Sequence, residues 1–205
     1  MSASMIILTV LAVLIFSGVL QRVLDRMHLR DKTALLLVGL MLAGTILPDI
    51  SIGMVSVNIG GALIPLGICA WLLWKADEPA ETGRALMGAV ITAAAVWGMS
   101  KLLPDEPEEM FIDPNLLYGA AAGVIAYVLG RSRRGAFFAG VTGVLLADTV
   151  IGVTNWSQGI DQQLVLGGAG MADAAVIAGV IGVLLAELVG ETAERIVRAR
   201  SERKE

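Results

Sequence analysis

The chain has 205 residues, of which 56% are hydrophobic and only 17% charged, with a net charge of −4. Soluble domains carry about a quarter charged residues, so the composition argues against a soluble globule, and the lack of a basic, aromatic-interleaved surface argues against nucleic acid as a partner. The single cysteine, Cys69, rules out an internal disulfide and a thiolate metal site, and no metal or cofactor is expected.

The apolar residues are gathered into blocks separated by charged clusters. A helix needs roughly 17–25 mostly apolar residues to cross a bilayer. On that measure spans are predicted at 5–21, 33–48, 59–74, 85–103, 115–130, 135–153 and 170–188. The first is read as a retained helix, because Met1 to Ser4 hold none of the Lys or Arg that open a signal peptide. With the N-terminus outside, every basic residue except Lys101 falls in an inside segment, and the acidic stretch Asp105 to Glu109 falls outside. A wrong span count would mix these charges. The sequence therefore predicts an all-α membrane protein of about seven spans in one domain, with a cytoplasmic helical tail over 189–205. In that tail Glu191–Arg195 and Glu194–Arg198 are i,i+4 pairs of favourable order.

The layout repeats. One copy, about 5–75, runs span, basic loop, span, outer segment, then Asn58-Ile59-Gly60-Gly61-Ala62-Leu63-Ile64-Pro65 and a third span. The other, about 115–190, follows the same order and reaches Gly167-Gly168-Ala169-Gly170-Met171-Ala172-Asp173 before its last span. The span at 85–103 connects them, which gives both copies one orientation, a plan found in transporters. Alternation at Ile50, Ile52 and Met54, and at Ile160, Gln162, Leu164 and Leu166, predicts short extended segments on the outer face. Gly119 and Gly123 form a small-xxx-small pair suited to close helix contact. Pro65 is expected to kink the third span, and Trp71 and Trp74 to anchor its end at the interface.

Two acids, Asp148 and Asp173, lie within apolar blocks, each about five residues, or roughly 8 Å, in from the predicted outer boundary. An acid inside a membrane is costly and marks a candidate site. If the two meet, one should hold a proton, which is the minimum for aspartyl hydrolysis: one carboxylate takes a proton from water and the other polarises a carbonyl. The same acids are equally those of proton or cation coupling. A purely structural alternative makes Asp173 and Asn58 helix N-caps and Asp148 an interfacial residue bonded to backbone. Glu187 reads as a helix-end residue, and the only histidine, His28, as a solvated loop residue.

The two motifs, Asn58 to Pro65 and Gly167 to Asp173, resemble an uncharacterised family of prokaryotic membrane proteins known as domain of unknown function 1614. The resemblance covers most of the chain and implies a multi-pass protein of the prokaryotic inner membrane. More distantly, the chain is similar to the presenilin and prepilin-peptidase type of intramembrane aspartyl protease, which sets one Asp on one helix and a second in Gly-x-Gly-Asp. That likeness implies catalytic roles for Asp148 and Asp173. It departs at Met171 and Ala172, which separate Asp173 from the glycines, and at Ala62-Leu63-Ile64-Pro65, which precedes the acids where presenilins carry Pro-Ala-Leu after them.

The expectation is thus an aspartyl-type hydrolase of a membrane peptide with Asp148 and Asp173 as acid and base, and Asn58, Gly60, Gly61, Pro65, Gly167, Gly168 and Gly170 shaping the binding site. The alternatives are a small proton- or cation-coupled transporter, or a non-catalytic membrane scaffold. Membrane lipid is the expected surrounding partner in each case.

Overall fold

The computed structural model describes residues 31–76, 79–103 and 113–202. The predicted span at 5–21, His28, the acidic stretch 105–109 and the side chains of the tail pairs lie outside the described residues. The architecture is mostly helical. In chain order it runs α1 (Asp31–Ile46), strands β1 (Ile50–Ile52) and β2 (Val55–Val57), a π-helical turn (Ile59–Leu63), α2 (Ile64–Trp74), α3 (Pro79–Ser100), α4 (Pro114–Gly130), α5 (Arg133–Ser157), β3 (Leu164–Leu166), a 3-10 turn (Gly170–Ala172) and α6 (Ala174–Glu202). Among the described residues one helix, α5, is long and apolar enough to cross a membrane. Leu36–Ile46, Ile59–Trp74, Pro114–Gly130 and Ala174–Gly190 are shorter apolar helices.

Helix α5 is the axis of the bundle and packs on α2, α3, α4 and α6. Its buried face is built from small residues, with Ala136, Ala139 and Ala147 fully enclosed beside Val141 and Val144. Small side chains let helix axes approach closely, so backbone and side chain pack with dispersion contacts that larger residues would prevent. The predicted Gly119 and Gly123 contact is an instance. A Cβ on either glycine would come within 3 Å of Ile177 or Ile181 on α6.

The extended segments form a three-stranded sheet in the order β1-β2-β3. β1 and β2 are an antiparallel hairpin, with Ile52 opposite Val55. Its two-residue turn begins at Gly53, whose φ of +61° is the left-handed conformation such hairpin turns demand. β2 then pairs in parallel with β3, matching Val55 to Leu164 and Val57 to Leu166. Segments more than 100 positions apart in the sequence are thereby joined edge to edge.

Pro65 sits within the helical run Ile59–Trp74, at the junction where the π-helical turn passes into α2. Leu63 and Ile64 before it are already helical and the Ile64 N–H reaches back to Ile59 O, so the proline's missing N–H falls where the winding changes. Trp74 at the end of α2 is 83% exposed.

Candidate functional site

The two Gly-rich segments pack directly against each other. Asn58, which is buried, opens the first. Its backbone N–H donates to Leu166 O at 2.9 Å, its Oδ1 accepts from Gly61 N at 2.8 Å, and its Nδ2 donates to Asp49 Oδ1 at 2.7 Å. Asn58 is therefore an N-cap, tied to β3 as well as to its own turn. A Cβ on Gly61 would lie 2.2 Å from Gly167 O, and one on Gly167 would lie 2.5 Å from Ala62 N. Gly60 rests on α1, where a Cβ would meet Met41 O at 2.2 Å. Gly168 packs on Val165, and Gly170 on Thr45 of α1. At Gly60, Gly61 and Gly167 glycine is required because backbone touches backbone, whereas at Gly168 and Gly170 a neighbouring side chain fills the place of the missing Cβ.

The second segment ends on Asp173, which is 7% exposed. Its Oδ1 accepts from Ala175 N at 3.0 Å and its Oδ2 from Ala169 N at 3.4 Å. Asp173 thus caps α6 and closes the 169–173 turn onto itself. Asp148 projects from α5. No hydrogen-bond partner for it lies among the described residues, and Asp173 is the charged neighbour whose field it feels.

Both acids line one cavity of about 240 Å³, together with Val96 and Ser100 of α3, Asn115 and Tyr118 of α4, and Val144 and Ile151 of α5. Among the described residues no Lys or Arg lines it. Asp148 also borders a second cavity of about 250 Å³, whose polar walls are Asn155, Gln162 and Gln163. Asn58, Gly60, Gly61, Pro65, Gly167, Gly168 and Gly170 line neither cavity. They hold the elements that present the acids. Ser100, Asn115 and Tyr118 were not singled out from sequence. Asn115 and Tyr118 stand i,i+3 on α4, a face that could have been noticed, whereas Ser100 gave no local signal. Among the described residues no group of three or more His, Cys, Asp or Glu is placed to hold a metal ion.

At the other end of α5 the polar groups are paired. Arg133 Nε forms an ion pair with Glu187 Oε2 of α6, Ser132 Oγ donates to Glu81 Oε1 at 2.7 Å, and Arg134 donates to Lys75 O at 3.0 Å. Glu187 was expected at a helix end, but α6 runs on to Glu202, so it lies in mid-helix and is held by Arg133 of α5.

This arrangement can do two things chemically. Two carboxylates on one cavity, with no Lys or Arg among its described lining residues, can exchange protons with a molecule there, and their oxygens can bind a hard cation.

No curated protein and no solved structure matches the chain significantly. A family model described as protein of unknown function (DUF1614) matches residues 21–185, a stretch that holds both Gly-rich segments and both acids, and the chain belongs to that family.

Proposed function

We propose that the chain is a multi-pass protein of the cell membrane whose Asp148 and Asp173 form an aspartyl-type hydrolytic site for a membrane peptide. The surface supports the membrane setting. Leu36 and Leu40 on α1, Met87 and Val90 on α3, Val128 on α4, Val150 on α5 and Leu188 on α6 are all exposed, whereas soluble monomers rarely expose extensive apolar patches. Lys75, Arg133 and Arg134 gather at the end of the bundle away from the two acids, in keeping with an inner basic side and seven spans. The repeat has support too. Each of two parallel strands leads through a Gly-rich turn into a helix, at 55–74 and at 164–190.

The observation that carries the hydrolytic reading is the cavity shared by Asp148 and Asp173, with no basic residue among its described walls. One carboxylate would accept a proton from the attacking water while the other, protonated, donates to the peptide carbonyl oxygen. Collapse of the resulting gem-diol breaks the C–N bond, and the amine leaves with a proton. The backbone N–H groups on both Asp173 oxygens fix its orientation, as a paired acid and base require. The test is photo-labelling of the purified full chain, in detergent and in liposomes, with a benzophenone-tagged hydroxyethylene peptide isostere. Labelling of the native chain that Asp148→Asn and Asp173→Asn each abolish, with melting temperatures little changed, is the expected result. No labelling of the native chain would end this reading.

A proton- or cation-coupled transporter is the second reading. Gly-interrupted segments at corresponding places in two halves are a feature of transporter binding sites, and here the two segments touch. Against it, the bundle beneath the acids is filled by Val141, Val144, Ala139 and Ala178, which offer no polar path onward. Acid-driven proton flux into dye-loaded liposomes, lost in Asp148→Asn, would favour transport.

A further inference from the structure

Thr45, near the end of α1, belongs neither to the cavity nor to either Gly-rich segment, yet it touches both segments. Its Oγ1 donates to Met41 O at 2.8 Å and accepts the Met171 N–H at 3.2 Å, across 126 positions of sequence. On one side of Thr45 lies Gly60, where a Cβ would come within 2.6 Å of the Thr45 N and Oγ1. On the other lies Gly170, whose φ is +61° and where a Cβ would come 2.2 Å from Thr45 Cγ2. The turn it grips is otherwise closed by its own atoms. Asp173 N donates to Gly170 O at 3.0 Å, Ala172 N to Ala169 O at 3.2 Å, and the Asp173 carboxylate takes the N–H groups of Ala169 and Ala175. Of the side-chain hydrogen bonds this turn receives within the described residues, only that from Thr45 comes from another element.

We infer that Thr45 is the positioning residue for Asp173. Its hydroxyl sets the height of the 170–172 turn, and its methyl, wedged on a glycine that cannot carry a Cβ, sets the turn's distance from α1. Together they fix where the Asp173 carboxylate enters the cavity shared with Asp148. A hydroxyl able to donate backward along α1 and accept from Met171 at once is what the geometry needs, and a β-branched residue fills the wedge. Serine supplies the first, valine the second, and threonine both. The functional meaning of this device rests on the hydrolytic reading, but the device itself does not.

The test uses the full chain labelled with ¹³C-aspartate, reconstituted in liposomes, with the Asp173 carboxyl band assigned in the infrared difference against Asp173→Asn. Thr45→Val is expected to shift that band and Thr45→Ser to leave it in place. In photo-labelling with the hydroxyethylene isostere, Thr45→Val should label about tenfold less, the size of one lost buried hydrogen bond, and Thr45→Ser should label nearly as the native chain does. Gly170→Ala presses on the same methyl from the other side and is expected to move the band as well, which covers the case that Thr45→Val does not fold. A folded Thr45→Val or Gly170→Ala chain with an unmoved Asp173 band overturns the inference. The band decides the positioning role and the labelling decides the hydrolytic reading. If the band shifts and the native chain does not label, Thr45 positions Asp173 in a protein that is no hydrolase.

Discussion

The two ends of α5 are held together by opposite means. At its start, charges meet charges or strong acceptors: Arg133 with Glu187, Ser132 with Glu81, Arg134 with Lys75 O. Some 15 residues along, roughly 22 Å at helical rise, Asp148 shares a cavity with Asp173 and no Lys or Arg stands among its described lining residues, while nearby glycines are set backbone to backbone, Gly61 on Gly167 above all. The first end neutralises its charge, as a structural cluster does. The second brings two acids to one cavity without a basic residue among its described walls. Carboxylates in an apolar bundle cost stability, and the glycine contacts next to that cavity hold the turn that carries Asp173 against the 58–62 turn and α1.

Three substitutions probe that contrast. Melting can be followed in detergent with a thiol-reactive dye on Cys69, which is 1% exposed and becomes reactive only on unfolding. The largest effect is expected from Gly61→Ala. Its Cβ would meet Gly167 O at 2.2 Å, a contact with backbone that has no rotamer to yield, so a loss of about 3 kcal/mol or more is expected, enough to lower the yield of folded protein. A near-native melt would show that the two segments part easily and that the acid end is not rigid.

Glu187→Gln comes next. It leaves Arg133 without its ion-pair partner in a half-buried setting, where the two side chains are 24% and 12% exposed. A loss of about 1–3 kcal/mol is expected. Arg133→Gln combined with Glu187→Gln should cost less than the sum of the two single changes, because the double variant leaves no unpaired charge. Strict additivity would mean that the pair contributes nothing specific, and the contrast between the ends would fail on its charged side. The smallest effect belongs to Gly98→Ala, in α3 with open space around it. It should gain about 0.5–1 kcal/mol from helix propensity. It also serves as the control showing that glycine as such is not what Gly61→Ala removes.

Much of the helical layout was legible. Apolar blocks predicted spans at 33–48, 115–130 and 135–153, and helices stand at Asp31–Ile46, Pro114–Gly130 and Arg133–Ser157. Period-two alternation found β1 and β3, though it also took in Met54, Ile160 and Gln162, which lie outside the strands, and it did not mark β2. The small-xxx-small spacing at Gly119 and Gly123 identified a helix contact that α4 makes with α6. The block at 59–74 was read as one helix with a kink. The helical run Ile59–Trp74 is there, capped by Asn58, and its irregularity near Pro65 is a change from π-helical to α-helical winding. Hydropathy alone cannot separate two helical types with the same side chains. In the site, Asp148 and Asp173 stood out because acids are rare in apolar blocks. Asn115 and Tyr118 did not, since polar residues near a helix end are common and nothing local says that they face inward.

The sequence by itself misplaced Asp173, which it set inside a span and which in fact caps α6 from outside the helix, but it determined which segments are helical and where the basic residues gather. These last are matters of local composition. Tertiary structure alone decided that β2 and β3 pair in parallel, that Gly61 settles on Gly167, that Thr45 reaches Met171, and that the two acids open into one cavity. The physical reason is that composition is local to a segment, whereas the direction a side chain faces, and what it meets there, depends on how neighbouring helices pack around it.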